Sequence, residues 1–294
     1  MGTVTESPSR LAWRVTEPLH ACVYLVPEGP AAYARLGLHP MGGYFAARAA
    51  ALGPAGAALV AATFYNFNPA VIAKTVPAAW DTVTPEQMVA TRLAVADAAL
   101  TRALGVATLA GPEVAEAAEL ARTAALHAAT RPHGRPLFAA HAELPWPDAP
   151  HLVLFHAHML LREFRGDGHI AALLAAGISG LESIVLKGAA DQVTGRFLLA
   201  SRGWKPEQWA AAADGLRERG LLAGDELSDE GRRLGAELEA TTDRLAEPAY
   251  ATLGDAGCLR LAELTRPLSR VVVKAGLLDP AGLTSSAGDR SHPA

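Results

Sequence analysis

A chain of 294 residues can bury a full core without disulfide or metal staples, so its size excludes no class of function. Half of the residues are apolar and the mean hydropathy is +0.16, yet Gly, Pro or a charge interrupts every apolar run well before the roughly 18 residues a spanning helix needs. A net charge of −4 and a pI near 6.2 give no global field that would draw in nucleic acid or anionic lipid, so DNA binding would need a local basic patch.

The opening stretch Met1–Arg10 is polar, with neither a basic nor an apolar leader region, which predicts a cytoplasmic protein with no membrane segment. Cys22 and Cys258 are far apart and in no metal spacing, which suits a reducing compartment. The first half reads as alanine-rich helices stopped by Gly or Pro. Asn68-Pro69 starts a helix over 69–75. Thr84-Pro85-Glu86-Gln87 has a cap, a first-turn proline and a capping-box glutamine, and predicts a helix over 85–104 that ends at Gly105. A further helix over 113–129 follows from the apolar spacing of Val114, Ala118, Ala121 and Ala125. Prolines 132, 136, 145, 147 and 150 surround one short helix, 137–144, and suggest a domain boundary.

Helix 152–165 comes next, with an interruption expected at Gly166–Gly168 and helix resuming over 169–176. Ser179-Gly180-Leu181-Glu182 is a second capping box. A helix over 206–219, the pair Leu221-Leu222, a turn at Gly224-Asp225, Leu227 and a Ser228-capped helix to about Glu247 then give the winged-helix order. The fold class expected is mostly α: an N-terminal helical domain (1–150), a winged-helix domain with a short β-wing (151–254), a helical extension (255–278) and a tail over 279–294 rich in Ser, Gly and Pro.

Arg217-Glu218-Arg219-Gly220-Leu221-Leu222, followed by Leu227-Ser228-Asp229-Glu230-Gly231-Arg232-Arg233-Leu234, resembles the wing and exit helix of MarR-type regulators. More broadly, Glu17 to Ala21, Gly43 to Ala49, Tyr65 to Phe67, Leu160 to His169 and Arg202 to Trp204 resemble a family of actinobacterial helix-turn-helix proteins of about this length. That resemblance implies a fold, covers most of 10–254 and assigns no activity.

DNA binding by such a domain requires Lys and Arg at phosphates and polar side chains at base edges. Over 196–247 there are eight basic and eleven acidic residues, a net −3, and the helix over 206–219 offers only Lys205, Gln208 and Arg217 for contact. The wing carries Asp225 and Glu226. Weak DNA binding without sequence preference is therefore expected, with no positive stripe uniting Arg202, Lys205, Arg217 and Arg219.

The densest group of reactive side chains is His156, His158, Arg162, Glu163, Arg165, Asp167 and His169. At about 100° per residue His156 and His158 point apart on a helix, so they do not form a metal pair. A turn at Gly166–Gly168 would let Asp167 and His169 fold back toward Arg162 or Arg165. Such a cluster could hold an anion and move a proton, and it could equally be a set of salt bridges. The candidate catalytic groups are His169, Asp167, Arg162 and His156, with His20, Tyr44, Arg48, Asn66 and Arg165 as candidate ligand contacts in an interdomain pocket and no metal site. No phosphate loop, dinucleotide fingerprint, nucleophile elbow or Cys-x-x-Cys is present, so no cofactor is named. Two readings stay open: a small-molecule-binding protein that is catalytic or not, and a ligand-responsive MarR-like regulator that binds DNA. A homodimer is left open in both.

Overall fold

A computed structural model describes residues 6–279; apart from Asp279, the tail expected over 279–294 lies outside the described residues. The chain is mostly helical. In chain order the helices are α1 (Pro8–Ala21), α2 (Glu28–Arg35), α3 (Pro40–Ala49), α4 (Ala57–Thr63), α5 (Pro69–Trp80), α6 (Pro85–Leu104), α7 (Val106–Leu109), α8 (Pro112–Ala129), α9 (Pro136–Ala142) and α10 (Pro150–Ala175). They continue with α11 (Gly180–Ala190), α12 (Gln192–Ser201) and α13 (Pro206–Glu218), the strands β1 (Leu222–Ala223) and β2 (Glu226–Leu227), then α14 (Asp229–Ala246) and α15 (Gly254–Lys274). Both capping boxes form: Thr84 Oγ1 accepts from Gln87 N at 3.2 Å and Ser179 Oγ from Glu182 N at 3.3 Å.

The chain forms two compact units. One comprises the chain up to Pro54, Ala78–Phe164 and the chain from Ala246 onward; the other comprises Ala55–Pro77 and Arg165–Leu245. In the first unit α1 packs along α15, where Thr16 and Thr265 share a buried hydroxyl hydrogen bond of 3.0 Å and Ser269 Oγ donates to the Val15 carbonyl at 2.6 Å. Its core is built largely from alanines of α6 and α8 with Phe138, Phe155 and Phe164. Small side chains let these helices approach closely.

In the second unit the order α11, α12, turn, α13, β1, β2, α14 is the winged-helix order. Leu173, Ile178, Val185, Ala213, Leu216, Leu221 and Leu222 form its core, with Trp209 packed against them. Helices α11 and α12 cross at two glycines. A Cβ on Gly188 would stand 2.8 Å from Gly195 Cα and 3.0 Å from the Trp209 ring, so no side chain fits there. The wing is a two-stranded antiparallel hairpin pairing Leu222 with Leu227 and Ala223 with Glu226, and Gly224 turns it at φ 64°. Segment 65–68 belongs to this unit. Trp204 Nε1 donates to the Asn66 carbonyl at 2.9 Å, Asn68 Nδ2 to the Gly203 carbonyl at 3.0 Å, and Tyr65 OH to the Ile178 carbonyl at 2.6 Å.

One expectation fails locally. Helix α10 runs unbroken from Pro150 to Ala175, through Gly166, Asp167 and Gly168. Each glycine costs the helix about 1 kcal/mol against alanine, but this stretch is largely buried and Arg165 is pinned beside it, Nη1 to Asp243 at 2.6 Å and Nη2 to Glu239 at 2.7 Å. Tertiary contacts override the local preference.

Candidate functional site

Within the first unit, α1, α3, α6, α9 and α10 bring a polar assembly into an otherwise apolar interior. Arg92 lies on the face of α6 that also buries Met88, Val95, Ala96 and Ala99. The residue as a whole is 5% exposed. Nη2 contacts His20 Nε2 at 3.1 Å and donates to Tyr24 OH at 2.7 Å, while Nη1 contacts His141 Nε2 at 3.3 Å. Arg92 has no carboxylate within ion-pair distance among the described residues.

Because a guanidinium only donates, both Nε2 atoms must accept, which places the imidazole protons on Nδ1. For His141 that proton goes to the Leu137 carbonyl at 2.8 Å. For His20 it meets no acceptor, and Arg92 Nε–H meets none either. Both rings are held neutral. Burial, then Arg92, pushes His20 well below the usual imidazole value, and the same two causes in the same order push His141 down to about 4.

Beside this lies a charge-paired half of the assembly. Glu17 accepts from His158 Nε2 at 3.0 Å and from Arg162 Nε at 2.9 Å. Arg162 Nη1 also donates to Glu163 at 3.1 Å, and Arg48 stands 3.7 Å from the same carboxylate oxygen. Burial would raise both carboxyls, but Arg162 with His158 holds Glu17 below its usual value, and Arg162 with Arg48 does the same for Glu163. The Tyr24 ring has three guanidiniums near it, Arg162 at 5.1 Å, Arg48 at 5.4 Å and Arg92 at 5.5 Å from its centroid. Arg48 Nη1 donates to Tyr44 OH at 3.2 Å. Even with every imidazole neutral, three arginines face two glutamates.

His156 packs edge-on against Trp146 at 4.7 Å, its Nε2 meets no partner, and burial, with His141 and Arg92 next, lowers it to about 4. Trp146 also lines a surface depression of about 340 Å³ with Glu119, Arg122, Pro147 and Asp148. Of the candidates read from sequence, His20, Tyr44, Arg48 and Arg162 therefore share one assembly, and His156 packs against Trp146 instead.

Asn66, Arg165, Asp167 and His169 belong to the second unit. Asn66 accepts from Trp204 through its carbonyl, and His169 Nδ1 contacts Thr242 Oγ1 at 2.9 Å. Without the turn at Gly166–Gly168, Asp167 and His169 do not fold back toward Arg162. His169 lies seven steps along the helix from Arg162, a rise of about 10 Å. Arg92, His141, Tyr24 and Glu17 were not singled out from the sequence. For Arg92 a signal existed: an arginine at the i+4 position from Met88 on an apolar helical face.

The winged helix has its own electrostatics. Arg217 donates Nη1 to Asp214, Nη2 to Asp225 at 2.9 Å and Nε to the Gly224 carbonyl at 2.8 Å, tying α13 to the wing. Arg219 pairs with Glu182 at 2.9 Å, Arg232 with Asp229 at 2.6 Å, and Arg233 with Glu230. Arg202 lies 4.5 Å from the Phe67 ring centroid, half-buried. Glu207, Asp214 and Glu218 are exposed on α13, whereas Arg196 and Lys205 are exposed and make no ion pair among the described residues. Among the described residues no single helix is long and apolar enough to cross a membrane, and no group of three His, Cys, Asp or Glu side chains could hold a metal ion.

No curated protein and no solved structure matches the chain. A helix-turn-helix family matches it over residues 9–279, nearly its whole length, and that span takes in both the polar assembly and the winged helix. The chain belongs to this helix-turn-helix family.

Proposed function

We propose that the protein is a ligand-responsive regulator, with the winged helix of the second unit contacting DNA and the polar assembly of the first unit receiving a small molecule. The observation that carries this reading is the order α12, turn, α13, hairpin, α14 in a chain whose family match extends over both units. Phosphate contact falls to Arg196 on α12 and Lys205 at the start of α13, exposed cations that make no ion pair among the described residues. In this reading sequence preference comes from few contacts, because Gln208 is engaged internally: its Oε1 accepts from Lys205 N at 3.1 Å and from Asn68 Nδ2 at 3.3 Å. Selection of bound fragments from a genomic DNA library, followed by fluorescence anisotropy at several salt concentrations, tests it. A recovered site with a shallow salt slope supports the reading, and failure to enrich any site overturns it. Native mass spectrometry of the same sample reads the state, monomer or homodimer.

The acidic outer face of α13 favours a second reading, in which the winged helix is a scaffold and the protein acts on or stores a small molecule in the first unit. There Glu17, His158 and His156 would be the groups able to move a proton. A small-molecule complex surviving in native mass spectra of protein that enriches no DNA would select this alternative.

A further inference from the structure

We propose that the depression beside Trp146 binds a small organic monocation, a primary amine bearing an aryl or alkyl group, whose ammonium donates to Asp148 while its apolar part packs against Trp146, Pro147 and Val153. The site lies within the first unit, outside the polar assembly, and does not depend on the regulator reading. One wall is a face of α8, where Ala115, Ala118, Glu119 and Arg122 recur at helical spacing and the two alanines leave room. The other wall comes from the segment between α9 and α10, in which Pro145 and Pro147 flank Trp146 and restrict the backbone on both sides of it. The ring itself is held, with His156 edge-on at 4.7 Å and the Arg122 guanidinium 5.0 Å from the indole centroid. At about 340 Å³ the depression is at the small end of ligand sites, which begin at roughly 300 Å³, so it suits a compact molecule.

The charge count sets the class of ligand. Glu119 and Asp148 face the single guanidinium of Arg122, a formal net charge of −1 in the depression. Arg122 is shared between Glu119, 3.9 Å away, and the Trp146 ring. Asp148, by contrast, makes no hydrogen bond or ion pair among the described residues, although an aromatic ring and an aliphatic side chain line the same depression. A monocation cancels the charge, and a primary ammonium supplies the donors that Asp148 lacks. A carboxylate ligand would meet two like charges. An inorganic cation would find too few ligands, since no three His, Cys, Asp or Glu side chains converge among the described residues. Val153 and Trp146 both belong to the core of the first unit, so the apolar remainder of the ligand would extend a surface that is already built.

The test titrates phenethylamine into the full chain at neutral pH, with 2-phenylethanol as the neutral isostere, phenylalanine as the zwitterion and phenylacetate as the anion. Binding is read by calorimetry and by the indole 15N–H resonance that Trp146→Phe removes. Phenethylamine is expected to saturate one site per chain and to move that resonance. The alcohol should bind about tenfold more weakly, the worth of one charge-assisted hydrogen bond. Asp148→Asn, at an exposed position outside the core, should weaken binding of the amine by about the same factor. Arg122→Gln removes the competing cation and should tighten binding severalfold. Asp255→Asn removes an exposed carboxylate of α15 and should leave binding unchanged.

No saturable site for phenethylamine, equal or tighter binding of the alcohol or of phenylacetate, or binding indifferent to Asp148→Asn would each overturn the proposal. An equal loss in Asp255→Asn would do so as well, since it would reduce the effect to the general field of the protein. Weaker binding in Arg122→Gln, or phenylalanine binding as tightly as the amine, would also overturn it, because Arg122 would then be holding part of the ligand.

Discussion

Arg92 contacts Nε2 of His20 through Nη2 at 3.1 Å, and that contact selects the tautomer of a buried histidine whose other nitrogen has no acceptor. The pair thus carries a charge and two donors that the fold itself does not use. Its neighbour Arg162 is the opposite case, holding Glu17 and Glu163 together.

The two arginines should therefore differ in their effect on stability. Replacing Arg162 by Met strands two carboxylates and should cost about 3–5 kcal/mol, the usual result of breaking a buried pair. Replacing Arg92 by Met strands no carboxylate but takes the partner from the Nε2 atoms of His20 and His141, so the cost should be smaller, about 1–3 kcal/mol. Urea unfolding of both variants checks this. An equal loss at Arg92 would make it a structural residue.

Acid should loosen the first unit before it protonates the glutamates. The imidazoles of His141 and His156 are lowered from 6.5 to about 4, so the native state favours their neutral forms. A depressed pKa means that the stabilisation is complete above pH 6.5 and is lost as pH falls toward 4. The loss is at most on the order of 3 kcal/mol for each ring. Urea midpoints measured from pH 7.5 to 4.5 should fall, and His156→Phe should flatten the decline. A profile that stays level over this range contradicts the burial argument.

Freeing Arg217 should increase attraction to DNA. With only Arg196 and Lys205 at phosphates, the slope of log K against log salt should be about −2 for each winged helix. Asp225→Asn with Asp214→Asn releases the Arg217 guanidinium from both carboxylates, and the slope should steepen by about 1. Anisotropy with a non-specific duplex measures it. An unchanged slope would place Arg217 outside the contact surface.

The glycine crossing of α11 and α12 is a further sensitive point. Gly188→Ala drives a methyl group into the Gly195 backbone and the Trp209 ring, neither of which can swing aside, and should cost about 1–3 kcal/mol. Gly215→Ala, where a Cβ meets nothing within 4 Å, is the control and should be neutral or slightly stabilising. Unfolding curves of the two variants side by side distinguish them.

Much of the helical order in both units was legible in the sequence because its determinants are local. The capping boxes at Thr84 and Ser179, the helix over 85–104, the cap at Ser228 and the turn at Gly224 each depend on side chains three or four residues apart, and the structure has them where that chemistry places them. The acidic character of 196–247 was likewise a matter of counting. Two things depended on tertiary contact. Gly166 and Gly168 read as a break, yet burial and the pairing of Arg165 to α14 keep α10 helical, and only residues distant in sequence supply that stabilisation. The polar assembly joins Glu17, His20 and Tyr24 to Arg92, His141 and Arg162 across as many as 145 positions. An arginine on an apolar face reveals that something must meet it, but which histidines and tyrosine do so is set by how the helices pack, and helix packing is a property of the whole core.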